Sequence, residues 1–467
     1  MRIPVGAVPV AFLLAGCTLA GPSGWEPRGD VQPYPAEGEG ATAGGEGPTP
    51  RAPESEGRAG AVQGGAKAGG PGVGPRPANF RTEPRFAEIR ALWVVRTTLD
   101  HPDSVRAMVR RADEAGFNTL LVQVRGRGEA YYRSGLEPPP STLIDAASDY
   151  DPLALTLQEA HARGMAVHAW VNAHLVGGTD GFPEDPGHLI NAHPDWLAVP
   201  RELGRQLYDA NPARPGYAQA LVRYAREHPG AVEGVYTSPA HPSVKEHLYA
   251  VWTELARWYE LDGIHLDYIR YPGPEFDYSR VALDRFRAWV RPGLGTRRRS
   301  RLERAYRTDP LAYVDELPKL WAEFRRAQIT DLVRRSYFGI KRRNPDLLVT
   351  AAVRPDPVEA RRERFQDWPS WLEEWIVDAA AVMSYVPEDP FFRYLIENGV
   401  AIAGGRRIWA GIGVYRTTLS GAVSQIRIAR EVGAGGISLF SYDSAVSRGD
   451  PGRTGEGFLA RLGREAF

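Results

Sequence analysis

The feature that most limits what this chain can become is an alternation. Between residues 85 and 467, eight short runs rich in apolar and β-branched residues are each followed by a stretch of helical periodicity. The runs are 90–97, 119–125, 166–172, 263–267, 347–354, 378–385, 406–415 and 436–442. Strands separated by helices pair in parallel through crossover connections. Helix signals fill the intervals: Asp103 or Ser104 opens one that ends near Gly116, and Asp151-Pro152 opens one that ends at Gly164. Stretches 243–260, 317–343, 368–375, 391–398, 421–432 and 454–465 complete the set. Eight such units predict the α/β class and a single closed (β/α)8 TIM-type barrel. The structural alternative, a doubly wound open sheet, would carry a Gly-x-Gly-x-x-Gly turn after a strand, and none of these runs is followed by one.

Strand parity predicts which side chains enter the barrel. In Gly263-Ile264-His265-Leu266-Asp267 the apolar Ile264 and Leu266 share one face, so they should meet the helices and leave His265 and Asp267 inside. By the same rule Leu120, Val122 and Val124 point outward while Gln123 and Arg125 point in. The third run turns Val167, Ala169 and Val171 outward and His168, Trp170, Asn172 and His174 inward. A purely structural barrel would fill such positions with Val, Ile and Leu. Polar groups at the C-terminal ends of strands are where barrel enzymes carry their chemistry. Arg96 and Arg125 end the first two strands and Arg270 lies just past the fourth, so all three are expected at the barrel mouth.

The N-terminus reads as an address. Arg2 precedes an apolar run from Ile3 through Leu14, too short to span a bilayer, and the run ends in Leu14-Ala15-Gly16-Cys17. That ending resembles the lipobox of bacterial lipoproteins, in which small residues precede a cysteine that is acylated as the signal is removed. Cys17 is therefore the expected lipidation site, with 1–17 as the signal. Residues 18–79 follow as a tether in which Gly and Pro fill 26 of 62 positions, a composition that cannot bury enough apolar surface to order the chain. Such a tether spans roughly 45 Å. The folded part is then 80–467, lipid-anchored outside the cytoplasm. With no Asp after Cys17, the anchor belongs on the outer membrane, facing the periplasm, in a cell with two membranes. As the chain's single cysteine, Cys17 also excludes an intramolecular disulfide or a Cys-based zinc site. Lys+Arg and Asp+Glu both total 57, and a net charge of zero argues against general nucleic-acid binding.

The most specific segment is Asp262-Gly263-Ile264-His265-Leu266-Asp267-Tyr268-Ile269-Arg270-Tyr271-Pro272. A carboxylate that ends an inward strand face, flanked by His, Tyr and Arg, suits a nucleophile or a general acid. Together with Arg90-Ala91-Leu92-Trp93-Val94, Gln123-Val124-Arg125, Ala169-Trp170-Val171-Asn172, His193-Pro194-Asp195-Trp196, Gln366-Asp367-Trp368 and Gly411-Ile412-Gly413-Val414-Tyr415, it resembles the glycosyl hydrolase-like 10 group, the former domain of unknown function 187. The resemblance runs from about residue 90 to 442. That group includes divisome-associated enzymes that cleave peptidoglycan glycan strands lacking stem peptides. By resemblance, then, the chain is a glycoside hydrolase acting on a cell-wall polysaccharide, with cell-division or cell-wall machinery as a partner. Three departures stand out. Arg125-Gly126-Arg127-Gly128-Glu129 replaces a common Arg-Pro-x-Gly-Asp, Ser238-Pro239 replaces Asp-Pro, and Tyr268 stands where many members have a second Asp.

Resemblance to the wider amylase-like barrels makes Asp267 the nucleophile and expects an acid/base Glu after the fifth strand. Residues 347–356 contain no Glu, only Arg354 and Asp356. Glu129 is the first candidate for the second carboxylate, followed by Asp356, Asp367 and Asp443. Expected substrate contacts come from Arg96, Gln123, Arg125, Trp170, Asn172, His174, His265, Tyr268, Arg270, Tyr385 and Tyr415, with at least one arginine reading the lactyl carboxylate that peptide removal exposes. No cofactor is expected. His168, His174 and His265 lack metal-site spacing and read as barrel histidines. Two rivals remain: a glycan-binding barrel without turnover, and a metal-dependent deacetylase.

Overall fold

The structure, a computed structural model, describes residues 85–144, 149–179, 181–403, 407–447 and 457–467. Cys17 and the Gly/Pro-rich stretch lie outside these. Among the described residues ten strands form: β1 (Ile89–Val94), β2 (Thr119–Arg125), β3 (Ala166–Asn172), β4 (Leu175–Gly177), β5 (Val235–Tyr236), β6 (Gly263–Asp267), β7 (Leu348–Val353), β8 (Ala379–Val382), β9 (Arg407–Gly413) and β10 (Gly436–Phe440). Eight of them close into a parallel barrel in the order β1-β10-β9-β8-β7-β6-β3-β2. Each of the eight expected runs supplies one barrel strand. The helices form where periodicity and capping placed them. Asp151 accepts the Ala154 N–H at the start of Pro152–His161, and Gly116 and Gly164, at φ +77° and +73°, turn the chain out of the helices before them.

Outward residues of the strands pack on the helices in one continuous core that includes Leu120, Val122, Val124, Val167, Val171, Ile264 and Leu266. The barrel interior is different. Trp93, Trp170 and Trp409 fill it, and Ala352, Ala379 and Ala381 leave the room those indoles need. Trp93 meets both Trp170 and His265 edge-on at 4.7 Å, and His168 lies 5.6 Å from Trp409. Aromatic plugs of this size make the lower barrel solid and confine any cleft to the strand ends.

Eight units do not exhaust the chain. Between β3 and β6, β4 and β5 pair antiparallel outside the barrel, followed by the helix Pro242–Trp258. Between β6 and β7, helices Arg280–Val290 and Thr296–Tyr306 build a second small core with Phe286, Trp321 and Phe324. Both insertions grow from the C-terminal ends of β3 and β6, and the first reaches the mouth, where its Glu233 meets Arg270. Among the described residues no helix is long and apolar enough to cross a membrane.

Candidate active site

The register of β3 and β6 places Asn172 beside Asp267 and, one layer below, Trp170 beside His265. Asp267 Oδ2 accepts the Trp170 indole N–H at 3.1 Å, and Oδ1 accepts the Tyr268 backbone N–H at 2.7 Å. The same indole also donates to Asn172 Oδ1 at 2.9 Å, and the Asn172 amide donates to the Gly126 carbonyl. Only 7% of Asp267 is exposed. Burial pushes its carboxyl from 3.8 to about 6, with the charge of Glu233 adding to the rise, while the Tyr268 N–H, Arg270 and Trp170 hold it down. At neutral pH this group still binds its proton far more readily than an ordinary aspartate.

Tyr268 follows with φ +48°, a backbone conformation that non-glycine residues rarely adopt and that collects at functional sites. The turn brings Arg270 back over the Tyr268 ring, 4.8 Å from its centroid. From there the guanidinium donates to Glu233 Oε1 at 2.8 Å. Tyr236 donates its hydroxyl to the other oxygen, Oε2, also at 2.8 Å. Burial works against ionisation of Glu233, but Arg270 and Tyr236 outweigh it and hold the carboxyl below its usual range. Two carboxyl groups thus share one field with proton affinities displaced in opposite directions. Sequence reasoning missed Glu233. It precedes a two-residue strand in an insertion and carries no strand or helix signal of its own. The one trace is Gly234, where a Cβ would sit 2.0 Å from the Gly177 carbonyl oxygen, so only glycine lets β5 close on β4 beside Glu233.

The other expected residues fall into three groups. Trp170, Asn172, Tyr268 and Arg270 gather around Asp267 as described. Arg96, Gln123 and Glu129 form a neighbouring rim. Gln123 Oε1 accepts from both the backbone and the guanidinium of Arg96 at 3.3 Å, the Arg96 stem lies over Gly126, and the charges of Arg96 and Glu129 both act on Tyr131. Farther round, Tyr385 stacks on Phe440 at 5.3 Å and meets Tyr415 edge-on at 6.2 Å. Gly411 and Gly413 leave the space that Tyr385 fills.

Three residues do not reach the cleft. His265 is inside the barrel as parity requires, but it lies beneath the mouth, bonded to Thr350 at 2.7 Å and covered by Trp93. Arg125 is turned away by a register shift in β2: Gln123 pairs with Trp170, yet Arg125 pairs with the outward Val171. It is fully buried, its guanidinium gripping Glu137 at 2.7 Å and donating to the Asn172 and Ala173 carbonyls. His247 bonds the same glutamate at 2.8 Å. His174 is fully buried beside Thr237, and burial, with the nearby charges of Arg125 and Lys245, lowers its imidazole to about 3. Of the three arginines expected at the mouth, only Arg96 keeps a guanidinium bound to no carboxylate among the described residues.

The remaining acids serve the scaffold. Asp356 caps the helix Pro357–Glu363, Asp367 pairs with Arg361 at 3.1 Å, and Asp443 ties β10 to β1 through the Val95 N–H and Thr98 hydroxyl.

A closed parallel barrel whose fourth barrel strand ends in a buried carboxyl, with aromatic rings beside it, has a fold that sugar-cleaving enzymes share. The glycoside hydrolase domain of PgaB (BpsB) from Bordetella bronchiseptica superposes with a TM-score of 0.56 at 15% identity, over 81% of this chain and 99% of that one. A β-galactosidase from Bacillus circulans sp. alkalophilus gives 0.52 at 14% identity, over 82% of this chain and 56% of that one. At such identities the likeness is one of fold. The family follows from the sequence itself: the chain belongs to the glycosyl hydrolase-like 10 family, whose model matches residues 88–403. Among its relatives, the glycosyl hydrolase YngK of Bacillus subtilis (strain 168) is 25% identical over 224 residues, 43% of this chain and 38% of that protein. The glycosyl hydrolase DigH of Escherichia coli (strain K12) is 28% identical over 177 residues, 36% of each. The matched stretch therefore spans less than half of either relative.

Proposed function

We propose that this chain is a glycoside hydrolase in which Asp267 is the general acid and Glu233 its ionised partner. The observation that carries the reading is geometric: Arg270, three residues past Asp267, holds Glu233 at 2.8 Å, while Asp267 is buried under the Trp170 and Tyr268 N–H groups. Burial thus raises one carboxyl and an ion pair lowers the other, the arrangement that divides acid from base or nucleophile. Near pH 6 Asp267 holds a proton to give to the glycosidic oxygen as the bond to the anomeric carbon breaks. The Trp170 and Tyr268 N–H groups then receive the carboxylate it leaves. Glu233, kept ionised by Arg270, faces the positive charge that develops on the sugar ring and takes the proton of the water that adds to the anomeric carbon, so that the bond broken to the leaving oxygen is replaced by one to hydroxyl. This reverses the nucleophile role that the amylase-like resemblance gave Asp267 and moves the partner from Glu129 to Glu233.

The substrate in this reading is a cell-wall polysaccharide, namely peptidoglycan glycan strands lacking stem peptides. Support comes from the resemblance of the Asp262–Pro272 segment and from the aromatic rings along the mouth. The lipobox-like Leu14-Ala15-Gly16-Cys17 supports a lipid anchor outside the cytoplasm. Kinetics on purified chain test the assignment. Asp267→Asn and Glu233→Gln should each lower kcat by about 100-fold or more with the fold intact, and Glu129→Gln by less than about ten-fold. Loss on Glu129→Gln with Glu233→Gln active would return the partner role to Glu129. A barrel that binds glycan without turnover would show no activity to lose and unchanged binding after Asp267→Asn.

A further inference from the structure

A cavity of about 490 Å³ opens beyond the β8 and β9 ends, where helices Asp389–Ile402 and Leu419–Glu431 begin. Arg416, Thr417, Asp389 and Ser424 are among its walls. Aromatic rings connect it to Asp267. The Trp170 indole that holds Asp267 lies 6.3 Å from Phe440, and Phe440 lies 5.3 Å from Tyr385 and 6.2 Å from Tyr415. Tyr415 is the residue before Arg416. Phe440 and Tyr415 are partly exposed, and rings of this kind pack against the C–H faces of sugars, so a glycan running over them from Asp267 arrives at the cavity.

The walls define what the cavity accepts. Arg416 is half-buried and pairs with no carboxylate among the described residues. Thr417 is 6% exposed, and its hydroxyl bonds to no group among the described residues. Gly421 keeps the space beside that hydroxyl open; a Cβ there would lie 2.2 Å from Thr417 Oγ1. Asp389 stands on the same cavity with one oxygen already accepting the Ser424 hydroxyl. A guanidinium takes carboxylate or phosphate in bidentate geometry. A phosphate dianion would confront Asp389, whereas a sugar acid carries a single charge and offers Asp389 a hydroxyl or amide N–H.

We propose that this cavity is a subsite for a sugar bearing a carboxylate, which Arg416 and Thr417 bind while Asp389 accepts a hydrogen bond from the ring substituents. The proposal rests on the glycan reading above and adds the charge and position of one residue in the strand. The carboxylate can belong to a lactyl ether, as on peptide-free muramic residues, or to a uronic acid.

Titration calorimetry on the full chain carrying Asp267→Asn, which removes turnover, tests it with both. The probes are peptide-free peptidoglycan oligosaccharide and a uronic-acid oligosaccharide, each beside its neutral amide or methyl ester. At least one acid should bind about ten-fold more tightly than its neutral form. Arg416→Gln, checked for native circular dichroism, should shrink that preference to within about two-fold, and Thr417→Val should reduce it partly. The acid that shows the preference identifies the source. No binding of either acid, equal binding of acid and neutral forms, or a preference that survives Arg416→Gln would overturn the subsite. Hydrolysis by the wild-type chain without acid preference would remove the subsite alone. Acid-selective binding with no hydrolysis would remove the hydrolase reading alone.

Discussion

Asp267 gives up stability for its proton affinity, and replacing it should return that stability. Its carboxyl moves from 3.8 to about 6 on folding, chiefly through burial. A carboxyl that holds its proton more tightly in the folded chain binds more protons when folded between those two values. Stability therefore rises as pH falls through that window, and above about pH 6 the folded state carries the full penalty. At about 1.4 kcal/mol for each tenfold change in proton affinity, the penalty is about 3 kcal/mol. Asp267→Asn removes the charge but keeps the shape. It loses one acceptor where its amide N–H2 meets the Trp170 indole N–H, a cost of about 1 kcal/mol. The variant should thus be about 2 kcal/mol more stable than wild type at pH 8, with no advantage below pH 4. Urea unfolding of both proteins across pH 4–8 measures the difference directly. A difference that stays constant with pH, or a variant less stable at pH 8, would refute the claim that burial holds this proton.

Other consequences are open to measurement. The pH profile of kcat/KM should decline above about pH 6 as Asp267 ionises, and its acid limb, from protonation of Glu233, should lie below the usual carboxylate range; a profile that climbs from pH 5 to 8 would contradict both assignments. Arg125→Met leaves the buried Glu137 with His247 as its one side-chain partner among the described residues, and urea unfolding should show a loss of about 3–5 kcal/mol; a loss under about 1 kcal/mol would mean that the guanidinium matters little there. Cys17→Ser should block lipidation and leave unprocessed precursor in cell fractions, while ordinary maturation with release of free protein would show a plain signal peptide.

The barrel was legible because buried parallel strands read as apolar runs of fixed parity, and because helices with their own caps separate them. Parity alone put Asp267, Asn172 and Trp170 in one neighbourhood, and the register of β3 with β6 agrees. It failed at Arg125, since a β-bulge arises from how β2 meets β3 and leaves no mark in β2 itself. Glu233 was out of reach for a related reason. Its role comes from Arg270, 37 positions away, through a turn at Tyr268 that departs from ordinary backbone geometry. The helix Thr296–Tyr306 buries only Leu302, so its sequence presents almost no apolar stripe to read. Arg416 is illegible in the sequence because an arginine in a loop declares nothing until the two helices beside it form an open pocket.

The central claim, that this barrel cleaves glycan through Asp267, is tested most directly by its products. Purified chain, wild type and Asp267→Asn, is incubated with peptidoglycan glycan strands with and without stem peptides, and soluble fragments are identified by mass spectrometry. Shorter oligosaccharides are expected from peptide-free strands with wild type and essentially none with Asp267→Asn. Identical fragment patterns from the two proteins, or no release from either strand type, would contradict it.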